Sequence, residues 1–212
     1  MRGLAPTLIR IGGTAADAAL YLPADPRRKI GSSTTVVSDA TWDSILSFAS
    51  ASGASLLWNL NSKSFRSATS WDPTRNATAF LAYTAAKHPG VDVAWSVGNE
   101  PSSSVSATLL VQETAALAAL LPAYGVGAAQ YGPSFSTTDD ARAAAFMEGT
   151  RGGGLTGFTT HRYPLGSNCA VADHVGRAAS DALGQHLSKL VALKVAHADP
   201  GLLMVLEETA GG

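Results

Sequence analysis

VAWSVGNEPS, residues 93–102, joins an apolar run to a carboxylate and a proline. The run Val91–Val97 has the length and the β-branched content of a buried strand, and Gly98 and Pro101 end it. Glu100 therefore stands directly after a predicted strand. Polar groups at the carboxyl ends of strands are typical of sites on parallel α/β sheets, so this stretch indicates both a fold class and a place for chemistry.

Short apolar runs alternate with stretches of helical periodicity along the rest of the chain. The predicted strands are Thr7–Ile11, Ser55–Leu60, Val91–Val97, Val126–Gln130, Leu155–Thr160 and Leu202–Glu207. The predicted helices cover residues 40–52, 72–88, 103–121, 137–149 and 178–197, the last with an apolar stripe of Leu183, Leu187, Leu190 and Val191. Apolar strands separated by helices predict a parallel sheet covered on both faces, in one α/β domain over residues 1–212.

The ends of the predicted strands decide between two α/β architectures, a doubly wound sheet and a (β/α)8 barrel. In a barrel the functional groups come from the carboxyl ends of several strands. Here the strand ends carry Asp17, Asn61, Glu100, Tyr131, His161 and Glu208. This pattern favours the barrel. Because six strands cannot close an eight-stranded ring, we predict an incomplete (β/α)8 TIM barrel.

Composition argues against several kinds of partner. The 212-residue chain carries 15 Lys and Arg against 16 Asp and Glu, so it lacks the basic excess that binding to nucleic acid or to an anionic membrane requires. It has no uninterrupted run of about 18 apolar residues, so we predict no transmembrane segment. The single cysteine, Cys169, excludes an internal disulfide. The five histidines lack metal-ligand spacing and no Gly-x-Gly-x-x-Gly motif occurs, so neither a metal nor a cofactor is predicted.

Two glutamates at the ends of different strands, Glu100 and Glu208, have the arrangement that glycoside hydrolysis requires: one protonates the leaving oxygen while the other attacks. Arg10 lies on a strand with apolar neighbours, and a buried guanidinium needs a carboxylate such as Glu208. That pairing would keep Glu208 ionised and leave Glu100 protonated as the acid. The structural alternatives are a helix-start role for Glu100 and an Arg10 side chain that extends to solvent.

Six segments spread over the chain extend this hypothesis. They are RGLAPTLIRIGGTAADAALY, WNLN, VAWSVGNEP, QYGPSF, HRYPLG and LEETAGG. In their order and their placement at strand ends they resemble the heparanase-like enzymes of glycoside hydrolase family 79. The resemblance implies a retaining β-glucuronidase on a (β/α)8 barrel, acting on a carbohydrate that contains glucuronide. The low density of Lys and Arg favours a weakly charged glucuronide over a sulfated polymer.

The resemblance also implies roles for individual residues. Glu100 would be the acid/base and Glu208 the nucleophile, supported by Arg10 and Tyr163. Asn99 would bond the sugar hydroxyl next to the reacting carbon. Further substrate contacts are implied for Gly13, Thr14, Asp17, Asn61, His161 and Tyr163. The structural alternatives are a loop anchor for Tyr163, a hydrogen-bonded core imidazole for His161 and a turn cap for Asp17.

The chain departs from the family pattern at Glu207, where glycine is usual, so two adjacent carboxylates compete for the role of nucleophile. Strand alternation is expected to direct only one of them inward, and Thr209 after Glu208 favours Glu208. Two other functions stay open: another retaining barrel glycosidase, and a non-catalytic carbohydrate-binding fragment.

Compared with the family, the chain begins at the second barrel strand and ends four residues past Glu208. We therefore expect the first and last strands and the accessory β-sandwich to be absent, and the chain to be a fragment or an incomplete gene model. Unpaired edges would leave such a fragment inactive alone and prone to associate. The parent protein is expected to be secreted, lysosomal or vacuolar.

Overall fold

A computed structural model describes residues 7–21, 35–136, 139–163 and 177–208, without the side chains of 177–180. The strands are β1 (Thr7–Ile11), β2 (Leu20–Tyr21), β3 (Val36–Val37), β4 (Ala54–Leu60), β5 (Val93–Val97), β6 (Tyr131–Phe135), β7 (Gly157–His161) and β8 (Leu203–Glu208). The α-helices are α1 (Gly13–Asp17), α2 (Asp39–Ser52), α3 (Ala77–Lys87), α4 (Ala107–Tyr124), α5 (Asp140–Gly149) and α6 (Arg177–His197). A 3-10 helix, Pro73–Arg75, occupies the predicted first turn of α3.

The six longer strands lie parallel and follow one another in chain order. β1, β4 and β5 pair in that order, and so do β6, β7 and β8. A parallel bridge between Trp95 and Gln130 joins the two sets, and the Trp95 N–H donates to the Ala129 carbonyl at 2.9 Å. β2 and β3 form a separate short pair. The predicted α/β class is confirmed, and the strand order is compatible with part of a barrel.

The two outermost strands of this series approach each other at their carboxyl ends. Arg10 of β1 donates a hydrogen bond to the carboxylate of Glu208 on β8. A flat sheet of six strands would hold these residues far apart, since neighbouring strands are spaced by about 4.8 Å. The sheet is therefore curved, and it gathers the ends of its strands around one region. No strand among the described residues pairs with the outer edge of β1 or β8.

The hydrophobic core lies between the sheet and its helices. In the first half of the chain, edge-to-face aromatic contacts connect the sheet to α2 and α3 through Trp42, Trp58, Phe80 and Trp95. In the second half, the corresponding cluster contains Phe135, Phe146, Phe158 and Leu190. Strand alternation places Asn59 and Ser96, together with Leu57, on the face of the sheet opposite this core.

Helix α4 shows why some predicted boundaries shifted. It begins at Ala107 instead of residue 103, because the Ser106 hydroxyl accepts the Leu109 N–H at 3.1 Å as an N-cap. It runs past the predicted end at 121 and stops where Gly125 takes a left-handed conformation, φ 64°.

Among the described residues, α4 is also the one helix whose length and apolar composition would suit a membrane span. Its buried face includes Glu113, and this carboxylate receives two hydrogen bonds from Arg66, at 2.5 and 2.7 Å. Leu117 and Leu121 on the same face pack in the core. These contacts are those of a core helix, and the prediction of no transmembrane segment is kept.

Strand β6 corrects the sequence prediction most clearly. It begins at Tyr131 instead of Val126. Gly132 and Pro133 have local preferences that oppose a strand, because proline has no N–H to donate to a ladder. The structure accommodates them with a register shift between Gly132 and Phe135, and the Ser134 N–H donates to the Thr159 hydroxyl at 2.8 Å.

The apolar stripe predicted on the last helix is only partly buried. Leu190 is buried in α6, but Leu187 and Val191 are 38% and 51% exposed. The stripe predicted from the sequence therefore does not pack inward as a whole. The physical reason is that this side of α6 lies next to the outer edge of β8, where nothing described covers it.

Candidate active site

The two predicted catalytic residues and three of their predicted supporting or substrate-binding residues meet where the parallel strands end. Arg10 comes from β1, Glu100 follows β5, His161 ends β7 and Glu208 ends β8. Tyr163 follows β7 by two positions. Contacts among these side chains connect groups up to 198 positions apart in the chain. The curvature of the sheet thus assembles one cluster from four strand ends.

Glu208 is held by two donors. Arg10 Nη1 donates to Oε1 of Glu208, and the Tyr163 hydroxyl donates to Oε2. Partial burial opposes ionisation, but the hydrogen bonds from Tyr163 and Arg10 and the nearby His161 lower the pKa of Glu208 below its ordinary value. The side chain remains 32% exposed. It is therefore an ionised carboxylate that a ligand can reach.

Arg10 also fixes the residue next to Glu100. Its Nη2 donates to Oδ1 of Asn99 at 2.6 Å. Gly12 makes room for the guanidinium, since a Cβ at this position would lie 2.5 Å from the Arg10 Cζ. Asn59, fully buried on β4, donates from Nδ2 to the Gly98 carbonyl at 2.6 Å and so anchors the turn that carries Asn99.

Glu100 occupies an unusual backbone conformation. Its φ of 43° lies in the left-handed region, which is uncommon for a residue with a side chain. The other non-glycine residue of this kind in the described part is Ser134, φ 58°, and its carbonyl accepts the Glu100 N–H at 3.1 Å. Strained residues that the surroundings hold in place cluster at functional sites. The turn directs Glu100 toward the other carboxylates while its side chain stays 33% exposed.

His161 has no exposed surface and lies between two carboxylates. Its Nδ1 is 2.7 Å from Oε1 of Glu100, and its Nε2 is 3.2 Å from Oε2 of Glu207. Burial alone would lower the pKa of His161, but the hydrogen bonds to Glu207 and Glu100 and the charge of Glu208 raise it above its ordinary value. The imidazole is hydrogen-bonded, as one alternative expected, and its partners belong to the site.

The expectation that only one of Glu207 and Glu208 points inward is wrong. In the β7–β8 ladder Thr160 pairs with Leu206 and His161 pairs with Glu208, so Glu207 is passed over. Such a bulge interrupts the alternation of side chains and turns two successive residues toward one face. Glu207 is 1% exposed, and its Oε1 lies 3.4 Å from Arg10 Nε. Both carboxylates therefore belong to the cluster.

The spacing of the cluster suits chemistry with two carboxylates. One oxygen each of Glu100 and Glu208 and one nitrogen of His161 all lie within 4.8 Å of one another. This spacing would also suit a metal ion. However, Arg10 and His161 already supply positive charge to the two carboxylates, so the chain neutralises them with its own side chains.

A cleft of about 300 Å³ opens next to Glu100. Its lining includes the predicted residues Thr14, Asp17 and Asn99, together with Lys63, Arg66, Pro101, Ser102 and Val105. Gly13 begins α1 with a left-handed φ of 82°, immediately before Thr14. Asp17 accepts a hydrogen bond from the Ser62 hydroxyl at 2.6 Å, which ties α1 to the segment after β4.

Asn61 is a buried residue behind the lining of the cleft. Its Nδ2 donates to the Ala19 carbonyl at 2.8 Å, and its Oδ1 accepts the Ser64 N–H at 3.0 Å. It is buried and does not line the cleft. Its amide thus joins the segment between α1 and β2 to the segment after β4, and a direct contact with a ligand stays a prediction.

The sequence prediction did not include three groups in this region: Asn59, Lys63 and Arg66. Lys63 is exposed at the cleft, whereas Arg66 is engaged by the buried Glu113. A sequence signal existed for both cations, because they lie in the segment that follows β4, where loops at the carboxyl end of a parallel strand build sites. For Asn59 the signal was a polar residue inside an apolar strand.

Comparison with known protein families gives a match over more than half of the chain. The model described as "Glycosyl hydrolase family 79, N-terminal domain" matches residues 1–121, which include β1 to β5 and most of α4. The matched part contains Arg10, Asn99 and Glu100 but not Glu208. A comparison with curated proteins returned no match.

Proposed function

Since the chain belongs to glycosyl hydrolase family 79, we propose that it is the catalytic part of a retaining, heparanase-like β-glucuronidase, with Glu100 as acid/base and Glu208 as nucleophile. Membership in the family makes it a glycoside hydrolase with a carbohydrate substrate. The observation that carries the proposal is that one oxygen of Glu100 and one oxygen of Glu208 lie within 4.8 Å of each other. So close an approach favours a retaining enzyme, whose two carboxyl groups are about 5 to 5.5 Å apart, over an inverting enzyme, whose carboxyl groups are about 6.5 to 9.5 Å apart.

The first step forms a covalent intermediate. The Glu208 carboxylate attacks the anomeric carbon, the bond from that carbon to the leaving oxygen breaks, and Glu100 transfers a proton to the leaving oxygen. Arg10 and Tyr163 each hold one Glu208 oxygen, so they orient the carboxylate and keep it ionised.

The second step releases the sugar. Glu100, now deprotonated, takes a proton from water, the water oxygen bonds to the anomeric carbon, and Glu208 leaves as a carboxylate. Asn99 assists both steps in this proposal. Because its Oδ1 accepts from Arg10, its Nδ2 is left to donate to the sugar hydroxyl next to the reacting carbon.

The cation at the cleft supports a uronic acid as the sugar. Lys63 lines the cleft beside Glu100, and an ammonium group there attracts a sugar carboxylate. Arg66 lies in the same lining but is already paired with Glu113. We assign the curved parallel sheet to part of a (β/α)8 barrel, because the groups of the cluster project from strand carboxyl ends as barrel sites do.

The test is turnover of 4-nitrophenyl β-D-glucuronide by the full-length protein. Glu208→Gln and Glu100→Gln are each expected to lower kcat/KM by about a thousandfold or more, and NMR of the first product should show the retained β-anomer. Glu148→Gln, an exposed change of the same kind on α5, should match the wild type. Unchanged turnover in Glu208→Gln, or an inverted first product, would overturn the assignment.

Two further measurements separate the alternatives. For a different retaining glycosidase, the matching 4-nitrophenyl glucoside or xyloside would turn over faster than the glucuronide. Lys63→Met would then leave KM for the glucuronide unchanged. The proposal predicts instead that Lys63→Met raises KM for the glucuronide but not for the glucoside. For a binding fragment, calorimetry would show that the glucuronide binds, while the activity assay would show no turnover. Glu208→Gln would then leave the affinity for the glucuronide unchanged.

A further inference from the structure

Glu207 forms a third carboxylate in the cluster, and the two-step reaction does not use it. The bulge in β8 turns it to the same face as Glu208. Its side chain is almost completely buried, and its described partners are His161 Nε2 at 3.2 Å and Arg10 Nε at 3.4 Å. A buried carboxylate is costly unless charged or hydrogen-bonding groups compensate it. The function of Glu207 should therefore lie in those two contacts.

The three side chains Glu207, His161 and Glu100 form a continuous chain of hydrogen bonds. Glu207 accepts at Nε2 of the imidazole, and this leaves Nδ1 directed at Glu100 Oε1, 2.7 Å away. Glu100 is one-third exposed, so the chain runs from a buried anion to a group that a ligand can reach. A carboxylate on one ring nitrogen fixes the orientation and tautomer of the imidazole.

The charges of the cluster balance only if the imidazole carries a proton. Its cations are Arg10 and protonated His161, and its anions are Glu207 and Glu208 when Glu100 is protonated. Tyr163, whose ring centre is 6.4 Å from that of His161, contributes a neutral hydroxyl that donates to Glu208. Without the Glu207 charge, the same cluster would have a net positive charge.

We propose that Glu207 is a positioning residue that acts through His161 to keep the His161–Glu100 pair fully protonated, as an imidazolium beside a carboxylic acid, so that Glu100 holds the proton that it delivers to the leaving group. This inference rests on the proposed function, in which Glu100 is the acid. Groups that interact this closely titrate as a pair, so a neighbouring anion makes the pair keep its protons to higher pH.

The His161–Glu100 pair gives up one proton and regains one proton in each turnover. In the first step the pair loses one proton to the leaving oxygen as the glycosidic bond breaks. In the second step the attacking water returns one proton to the pair as its oxygen bonds to the sugar. Glu207 stays a carboxylate throughout, and its hydrogen bond to Nε2 keeps Nδ1 directed at Glu100.

NMR of the histidine side chains tests the inference without any substrate. Long-range ¹H–¹⁵N spectra report on the ring nitrogens of the five histidines, and the signal that disappears in His161→Gln is that of His161. In the wild type the ring of His161 should be protonated at pH 7. In Glu207→Gln its titration midpoint should fall by about one pH unit or more.

The matched control is Glu148→Gln. Glu148 Oε1 is 2.6 Å from Nδ1 of His197, also a carboxylate–histidine pair, but the carboxylate is 60% exposed. This change should move only the His197 signal. If Glu207→Gln does not fold, Glu207→Asp keeps the charge and withdraws it from the ring, so a smaller shift in the same direction is expected. A neutral His161 ring in the wild type at pH 7, or an unshifted ring in a folded Glu207 variant, overturns the proposal.

The pH profile of kcat/KM for 4-nitrophenyl β-D-glucuronide gives the second readout. Glu207→Gln should move the basic limb to lower pH by about one unit and lower the rate at the optimum by less than about tenfold, whereas a merely structural role would lower the whole profile. If the wild type shows no turnover, the proposed function fails and the NMR shift still decides the role of Glu207. If turnover occurs with an unmoved basic limb, the inference on Glu207 fails alone.

Discussion

At the scale of single residues, the hydroxyl of Tyr163 has a contact whose removal is easily measured. Tyr163→Phe keeps the ring and deletes the donor to Glu208 Oε2. A hydrogen bond to a charged group contributes about 1.5 to 3 kcal/mol, so kcat/KM should fall by about 10- to 150-fold.

The same change should move the acid limb of the pH profile. The hydrogen bond from Tyr163 lowers the pKa of Glu208, so its loss raises that pKa. Activity needs the ionised carboxylate and is lost as the pH falls through this pKa, hence the acid limb should move to higher pH. Tyr83→Phe, which removes a hydroxyl bonded to Asp43 on the outer helices, serves as the control and should leave the limb in place. An unmoved acid limb in Tyr163→Phe would contradict the assignment of Glu208 as the nucleophile.

The buried pair of Arg66 and Glu113 leads to a prediction about stability. Glu113→Gln leaves the guanidinium without its anion, and breaking a buried ion pair from one side costs about 3 to 5 kcal/mol. Urea unfolding followed by circular dichroism should show a decrease of that size in the free energy of unfolding. Lys189→Gln, which breaks an exposed pair with Asp140, should change it by less than about 1 kcal/mol. Equal decreases in the free energy of unfolding for the two variants would show that the burial of Glu113 does not determine the cost of breaking its ion pair.

At the scale of elements, the junction between β5 and β6 holds the two halves of the sheet together. A Cβ on Gly127 would collide with the backbone carbonyl of Val93, close to the Trp95–Gln130 bridge. Gly127→Ala should therefore lower the free energy of unfolding by about 1 to 3 kcal/mol, since strands cannot yield as a side chain would.

The control for this prediction is a glycine with free space around it. Gly184 is an exposed residue away from both ends of α6, and a Cβ there would meet no atom within 4 Å. Gly184→Ala should raise the free energy of unfolding by about 0.5 to 1 kcal/mol, because alanine favours the helix. Thermal and urea unfolding measure both variants. A loss of stability in Gly184→Ala would contradict the described placement of α6.

The elements also show how far the sequence alone could lead. The first strand was predicted with its observed bounds, because Pro6 and Gly12 limit this short run on both sides. β6 was misplaced, since Gly132 and Pro133 have local preferences that oppose a strand and only the neighbouring strand overrides them. The orientation of Glu207 depends on a bulge, which is set by the pairing of β8 with β7 and has no local signal.

In the candidate site, too, the sequence indicated what has a local signal and missed what depends on the packing of distant strands. Arg10, Glu100 and Glu208 could be identified because a charged residue beside a buried strand is conspicuous in a sequence. The pairing of Arg10 with Glu208 followed from the need of a buried guanidinium for a carboxylate, the role of Tyr163 was implied only by the family resemblance, and the contacts of Lys63 and Glu207 were not foreseen. Such contacts depend on the curvature that brings β1 to β8, which no local pattern encodes.

At the scale of the whole molecule, two large hollows lie away from the cluster of carboxylates. One, of about 580 Å³, is lined by Ile9, Ile11 and residues of α2 that include Phe48. The other, of about 540 Å³, lies between α6 and β8 and is lined by apolar residues that include Val195 and Leu203. Both are apolar and adjoin the outer strands of the sheet, so they reflect uncovered core surface rather than a second polar site.

This uncovered surface predicts self-association. Among the described residues, Val195 is 79% exposed, Leu203 is 51% exposed and Phe48 is 49% exposed, and the outer edges of β1 and β8 have no strand partner. Exposed apolar surface beside unpaired strand edges favours contact with other copies of the chain. Sedimentation velocity should show the average mass rising with concentration, and Val195→Glu and Phe48→Glu should each reduce that rise. Ser188→Glu, which adds the same charge at an exposed position of α6, should leave association close to that of the wild type. A wild-type chain that stays monomeric at every concentration would show that the two hollows are covered by other parts of the protein.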